Sequence, residues 1–313
     1  MPTPQGHPGP FSIVLNRRSG SADAEATERD IRTALDDAGH PYRLFRARRP
    51  RELGGLAREA VEAARAQDGT VVVAGGDGTI NAVVQAVLPS GLPLGVLPQG
   101  TFNFVGRCHG LPEGDAGAGV RGLLDAREVP VQVGMVNQRV FLVNASLGLY
   151  PDLLERRERD KRRFGRHRLV ALLSGLRALL GNYPDLRLSL REDGRAQLRR
   201  STTLVVANNR LQLESIGIPE AEAVDRGRLV GIVLPPLARW RMILAAVRGL
   251  SGHLGDVEKV DSFAFAELDA ALPHRRHIKL AIDGEIGRLS LPLRFRVAPQ
   301  PLRLLVPGRR EAS

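Results

Sequence analysis

An α/β domain followed by a mainly β domain is the architecture this sequence predicts, and three observations predict it. The first 130 residues alternate short apolar runs with amphipathic stretches at helical spacing. Beyond about residue 130 the helical patterns thin out and β-branched or alternating runs take over. Between these regimes, residues 75–81, Gly-Gly-Asp-Gly-Thr-Ile-Asn, end one apolar run and begin an amphipathic one. At 313 residues, 43% of them hydrophobic, the chain is long enough for two cores.

Residues 11–16 are a short apolar run, too short for a helix, closed by the polar loop 17–20. Ala24, Ile31, Ala34, Leu35 and Ala38 then recur at helical spacing, with Gly39 placed as a C-terminal stop. Leu53, Leu56, Ala57, Ala60, Val61 and Ala64 give a cleaner amphipathic helix. The β-branched run 70–74 reads as a strand buried on both faces, and 94–97 as another. Between them Ile80, Val83, Val84, Val87 and Leu88 line one face of a helix beginning near Thr79. Such alternation means a parallel sheet with helices packed on it.

In the second half, 131–136, 140–145, 186–190, 202–207, 229–234 and 278–282 read as strands. Leu291, Leu293, Phe295 and Val297 alternate with Pro292, Arg294 and Arg296, the period of a half-exposed strand. Two basic segments read as helices. One, 164–180, lines Leu169, Leu172, Leu173, Leu176, Leu179 and Leu180 behind the charged run 155–163. The other, 237–250, sets Trp240, Leu244 and Val247 among Arg239, Arg241 and Arg248. They fit either docking on an anionic bilayer or ordinary packing on a sheet with a solvated face, and packing is the simpler reading.

Lys+Arg number 45 against 34 Asp+Glu, and the excess is nearly all arginine. Either the chain favours anionic partners (nucleotides, nucleic acid or an acidic membrane surface) or the excess reflects the coding bias of its genome. Aromatic residues are only 4%, too few to stack bases, so nucleic acid is not an expected partner. A single cysteine, Cys108, excludes an internal disulfide and any multi-cysteine metal site. Residues 1–10 lack an apolar signal core and read as a loose tail, and no run approaches the roughly 20 apolar residues of a membrane span. A cytoplasmic location is expected, with peripheral contact at an anionic inner membrane face; a homodimer is left open.

The turn at 75–81 carries the chemistry. Glycines let the backbone approach a ligand with no Cβ in the way. The helix that follows offers unpaired N–H groups and its positive dipole end to a phosphate. Asp77, a carboxylate beside phosphates, makes sense if it meets a Mg²⁺ shell, orients a ribose or holds a neighbouring loop. No Gly-Lys-Ser/Thr follows, so this is not a Walker loop.

Gly75-Gly76-Asp77-Gly78-Thr79 resembles the signature shared by diacylglycerol kinases, sphingosine kinases and, more distantly, NAD kinases and phosphofructokinases. Asn16-Arg17-Arg18-Ser19-Gly20 is similar to the Asn-Pro-x-Ser-Gly loop of the lipid-kinase branch. Residues 94–103, Leu-Gly-Val-Leu-Pro-Gln-Gly-Thr-Phe-Asn, resemble its Leu-Gly-x-x-Pro-x-Gly-Thr-x-Asn segment, and Asp283-Gly284-Glu285 its Asp-Gly-Glu. Four segments in order identify the chain as similar to the bacterial diacylglycerol kinase–like lipid kinases.

The resemblance implies a Rossmann-like nucleotide domain at 11–130, completed by 300–308, a β-sandwich substrate domain at 131–299, and an active site in the cleft between them. It implies ATP and Mg²⁺ as cofactors and a lipid hydroxyl, diacylglycerol-like, as acceptor. Nucleotide binding falls to Asn16, Arg17, Arg18, Ser19, Gly20, Gly75, Gly76, Asp77, Gly78, Thr79, Ile80, Asn81, Gly100, Thr101 and Asn103. Asp77 is also the candidate metal ligand. Glu285 is the expected general base, with Asp283 its partner or alternative. Three positions depart from the pattern: Phe104 stands where the family usually has Asp, Arg17 replaces Pro, and Asp225-Arg226-Gly227 replaces an acidic turn at a second cation site. A non-catalytic lipid- or nucleotide-binding relative and a kinase of a soluble metabolite such as NAD are the competing readings.

Overall fold

The computed structural model describes residues 9–16, 21–100, 103–152, 154–155, 186–192, 194–234 and 260–308. Both basic helical segments therefore lie outside the described residues, as do Arg17, Arg18, Ser19, Gly20 and Thr101. The chain divides into two compact units, residues 1–133 with 299–313, and residues 134–298.

The first unit runs β1 (Phe11–Asn16), α1 (Ser21–Asp37), β2 (Tyr42–Ala47), α2 (Leu53–Arg65), β3 (Thr70–Gly75), α3 (Asp77–Val87), β4 (Leu94–Pro98), α4 (Phe104–Cys108), α5 (Ala116–Leu124) and β5 (Ala126–Val131). It is completed by β18 (Leu302–Pro307). The sheet order is β2-β1-β3-β4-β18-β5, parallel except that β5 opposes β18. Ile13, Leu15, Val72, Ala74 and Leu97 face one side, where Ile31 and Leu35 of α1 and Val120 and Leu123 of α5 cover them. The alternate residues Val14, Val71 and Val73 are equally buried and face the other side. There α2 and α3 pack on each other and on β1 and β3. Burial on both faces explains why these strands are continuous apolar runs.

The second unit holds β6 (Gly134–Val136), β7 (Arg139–Phe141), β8 (Asn144–Gly148), β9 (Leu186–Glu192), β10 (Arg195–Ser201), β11 (Thr203–Ala207), α6 (Arg210–Ser215) and β12 (Leu229–Leu234). It continues through β13 (Asp261–Phe265), β14 (Glu267–Ala271), β15 (His277–Ile282), β16 (Glu285–Ser290) and β17 (Leu293–Val297). These form two six-stranded antiparallel sheets, β10-β9-β14-β17-β6-β7 and β13-β12-β11-β8-β15-β16. One core drawn from both, with Phe141, Phe265 and Phe295 fully buried, makes a β-sandwich. A smaller cluster seats α6 and the 3₁₀ turn Pro219–Arg226 on β11 and β12 through Leu213, Ile218, Ala207 and Val230.

Several expected bounds moved. The stretch 140–145 is not one strand: β7 ends at Phe141 and β8 starts at Asn144. Likewise 131–136 is divided between β5 and β6. No helix among the described residues is long and apolar enough to cross a membrane.

Candidate functional site

In the first unit the sheet brings three of the singled-out segments to one edge. Asn16, Gly75 and Pro98 end the adjacent parallel strands β1, β3 and β4, with Leu15 beside Ala74 and Gly75 beside Pro98. The carboxyl ends of parallel strands are where open α/β sheets carry their ligand loops.

The loops are fastened to one another. Asn16 Nδ2 donates to Thr79 Oγ1 at 2.8 Å, tying the end of β1 to the first turn of α3. The Gln99 amide donates to the Gly75 carbonyl at 3.0 Å, continuing the β3–β4 ladder past the strand ends. A Cβ at Gly100 would lie 2.8 Å from Gly76 Cα, so the two turns meet backbone to backbone. One on Gly75 would lie 2.7 Å from Thr79 Cβ. These glycines therefore answer to the protein's own packing as well as leaving room for a ligand's approach. Gly76 itself has φ −84°, open to any residue, so its requirement is for space rather than for an unusual conformation.

Helix α3 begins at Asp77, two residues before the expected Thr79, and its N-cap residue, Gly76, has no side chain with which to cap it. The Thr79 and Ile80 amides both donate to the Gly76 carbonyl, at 2.9 and 3.0 Å. The first-turn amides ahead of them, those of Asp77 and Gly78, are the ones placed to meet an anion. Ile80 is fully buried between helix and sheet, so its side chain is core. Asn81 Oδ1 accepts from Gln85 Nε2 at 3.1 Å, one turn along the same helix.

Asp77 turns towards the third segment. Its Oδ1 accepts the Val105 amide at 3.5 Å. Burial holds its carboxyl above the usual aspartate range, and the amides of Val105, Phe104 and Asn103 pull the other way. Asp77 thus caps the start of α4, which puts it on the neighbouring loop among the roles the sequence left open. Asn103 adopts the left-handed conformation, φ 46°, and its Oδ1 accepts the Gly100 amide at 2.7 Å. Among the described residues no group of three or more His, Cys, Asp or Glu could hold a metal ion. Phe104, lacking a carboxylate, takes part through its backbone amide.

In the second unit β15 and β16 form a hairpin, Ile282 opposite Glu285, closed by Asp283 (φ 46°) and Gly284 (φ 86°). Two successive positive φ values are the mark of a tight twisted hairpin turn, and Asp-Gly is the pair that tolerates them. Both Asp283 oxygens face the link between β7 and β8. Leu142 donates to Oδ2 at 2.8 Å; Val143 and Asn144 donate to Oδ1 at 2.9 and 3.0 Å. The Asp283 amide returns a bond to the Asn144 carbonyl at 2.9 Å. Asp283 is thus an anchor for the hairpin tip. Glu285 stands next to it with its side chain exposed at the start of β16. The protein on one side still withholds enough water to raise its carboxyl above 4.5, and Arg139 partly offsets this.

The turn Asp225-Arg226-Gly227 ends the 3₁₀ segment, with Gly227 at φ 76°. Arg210 pairs with both Glu214 and Asp225, and Arg226 with Glu222 at 3.7 Å. The acidic residues there are engaged by arginine.

The sequence did not point to the amides of 142–144 and 103–105, nor to Arg139. Backbone donors leave no side-chain signature, and Arg139 is far from Glu285 in sequence and belongs to the other sheet of the sandwich, so only the folded unit brings the two charges near each other.

Glycine turns at the strand ends of a parallel α/β unit, joined in one chain to a β-sandwich, define a two-unit protein of the diacylglycerol kinase fold. More particularly, residues 10–136 match the diacylglycerol kinase catalytic domain family. The chain is 33% identical over 138 residues to a diacylglycerol kinase of Staphylococcus haemolyticus (strain JCSC1435), covering 44% of this chain and 41% of that protein. It is 35% identical over 140 residues to the "Probable lipid kinase YegS-like" protein of Cronobacter sakazakii (strain ATCC BAA-894), covering 44% of each. The matched segment thus spans less than half the length of these curated relatives. The crystal structure of a diacylglycerol kinase from Bacillus anthracis str. Sterne superposes with TM-score 0.67 at 16% identity, covering 98% of this chain and 99% of that one. A further crystal structure from the same organism reaches 0.72 at 17% identity. At such identity the likeness concerns the fold.

Proposed function

We propose that this chain is an ATP-dependent lipid kinase, transferring the γ-phosphoryl group to a diacylglycerol-like lipid hydroxyl. The observation that carries the reading is the head of α3, where Gly76 stands at the N-cap and packs against Gly100, in a segment that matches the diacylglycerol kinase catalytic domain family.

The residues fit a nucleotide. The first-turn amides of α3 receive phosphate oxygens, and the helix dipole favours their charge. Asn16, Thr79, Asp77 and Asn103 tie the end of β1, the head of α3 and the start of α4 together. ATP, when bound, supplies the phosphoryl group; Mg²⁺ would neutralise charge on its phosphates. In the second unit Glu285 accepts the proton of the acceptor hydroxyl as that oxygen attacks. Its raised pKa brings it closer to the working pH and makes it a stronger base than an ordinary glutamate. Asp283 fixes the turn on which Glu285 stands.

The test is transfer of labelled γ-phosphate from ATP to a panel of lipids, with thin-layer separation of the products. A labelled lipid that disappears with Glu285→Gln supports the proposal. Saturable nucleotide binding with no labelled lipid across the panel refutes it, and a labelled soluble metabolite would redirect it.

A further inference from the structure

The chain passes from β7 into β8 through Leu142, Val143 and Asn144, all of them buried. A buried backbone group without a partner costs stability, so each amide and each carbonyl here must find one. The three amides donate to the Asp283 carboxylate, and the Asn144 carbonyl accepts the Asp283 amide. The remaining two carbonyls go to Asn208. Its Nδ2 donates to the Leu142 carbonyl at 3.2 Å, and its amide to the Val143 carbonyl at 2.9 Å. Asn208 and Asp283 between them satisfy every backbone group of the stretch.

β8 lies between β11 and β15 in its sheet, so the two residues grip it from either side. The grip extends to α6. Asn209 caps that helix, its Oδ1 accepting the Gln212 amide at 2.9 Å, and Gln212 Oε1 accepts Asn144 Nδ2 at 3.0 Å. The three strands are already joined by their ladders and by Leu147, Leu204 and Leu280 in the core. The polar contacts therefore add precision at the strand ends rather than association of the strands. Precision there falls on the turn that follows β15, where Asp283 is the last fixed point before Glu285.

We propose that Asn208 is a positioning residue for Glu285, holding residues 142–144 against Asp283 and so setting where the base stands. This assignment rests on the kinase reading. Asn208 touches neither substrate nor the reacting atoms; it acts through the stretch it grips.

The experiment measures lipid transfer and amide hydrogen exchange in variants of the full chain, at a temperature where circular dichroism shows each one folded. Asn208→Leu keeps the size of the side chain and removes its donor. It should speed exchange at the amides of 142–144 and lower kcat by about 10- to 100-fold, the scale of a small misplacement at a reacting group. KM for ATP should stay within about twofold. Asn208→Asp supplies a signature in pH. Its carboxyl, buried beside a carbonyl, should titrate above the ordinary aspartate range and regain a donor when protonated. Turnover relative to the parent chain should then rise as pH falls in Asn208→Asp and stay level in Asn208→Leu. Parent-like kcat in Asn208→Leu would overturn the assignment, as would unchanged exchange at 142–144 or a KM for ATP that rises in step. If Asn208→Leu fails to fold, the pH course of Asn208→Asp decides: a rising ratio supports the assignment and a level one overturns it. Absence of transfer by the parent chain refutes the kinase reading and this assignment with it, whereas parent transfer that Asn208→Leu leaves intact overturns the assignment alone.

Discussion

Asp283 Oδ1 accepts the amide hydrogen of Val143 at 2.9 Å, joining residues 140 positions apart in the sequence. With the bonds from Leu142 and Asn144 it fixes a hairpin tip to the link between two other strands. Removing the carboxylate strands three amides. Asp283→Ala should therefore destabilise the second unit by about 3 kcal/mol, and Asp283→Asn, which keeps one acceptor oxygen and tolerates the positive φ, by about 1 kcal/mol. Urea denaturation measures both; equal midpoints for the two variants would contradict the anchoring role.

As the proposed general base, Glu285 predicts a pH dependence with a definite sign. As a base it acts when ionised, so the rate rises with pH through its pKa and then levels. Because burial raises that pKa, the acid limb should lie above the ordinary glutamate value of 4.5. Arg139 pulls the pKa down, so Arg139→Ala should move the limb to higher pH. Glu285→Gln should lower turnover by about 10²–10⁴ fold and abolish the limb. A limb that moved to lower pH in Arg139→Ala would break the assignment.

Asp77 is predicted to hold a loop. Asp77→Ala should speed hydrogen exchange at the amides of residues 103–105 and weaken nucleotide binding by about tenfold through the loosened contact at Gly100. Asp77→Asn should fall between the variant and the parent chain. Nucleotide affinity lost with exchange unchanged would mean that Asp77 acts on the ligand directly.

Glu28 offers an acid-range test of the first unit. Arg46 Nη2 donates to its Oε1 at 2.8 Å, joining α1 to β2, and this hydrogen bond is the main reason its carboxyl lies below 4.5. A carboxylate with a depressed pKa in the fold contributes fully above its unfolded value, and that contribution is lost as pH falls through the folded one. Glu28→Gln should cost about 0.5 kcal/mol at pH 7, the scale of a solvent-screened pair. It should also flatten the fall in stability below pH 4.5. Urea midpoints at several pH values decide it, and parallel curves for variant and parent would exclude the linkage.

What the sequence displays follows from what each element buries. The runs now seen as β3 and β4 were legible because helices cover both faces and every position is buried, which leaves them nearly all apolar. β10, with sequence Arg-Ala-Gln-Leu-Arg-Arg-Ser, was not, because it stands at a sheet edge and is held by its backbone ladder to β9. β2 escaped notice for the same reason, at the edge of the other unit's sheet. The apolar stretch 140–145 concealed a break because Leu142 and Val143 are buried while their amides turn to Asp283. At the site the same rule holds. Glycines and carboxylates could be read as letters, whereas the amides they meet are common to nearly every residue and become visible only once the chain is folded.

The position of β18 carries a consequence for synthesis. Leu302–Pro307 lies between β4 and β5, and β5 joins the sheet only through it. A chain growing from its N-terminus therefore makes four strands of this sheet early and must wait for the whole sandwich to be translated before the gap is filled. Until then the edge of β4, with its Leu94 and Val96, stays open to wrong partners. The first unit to be made is the last to be finished.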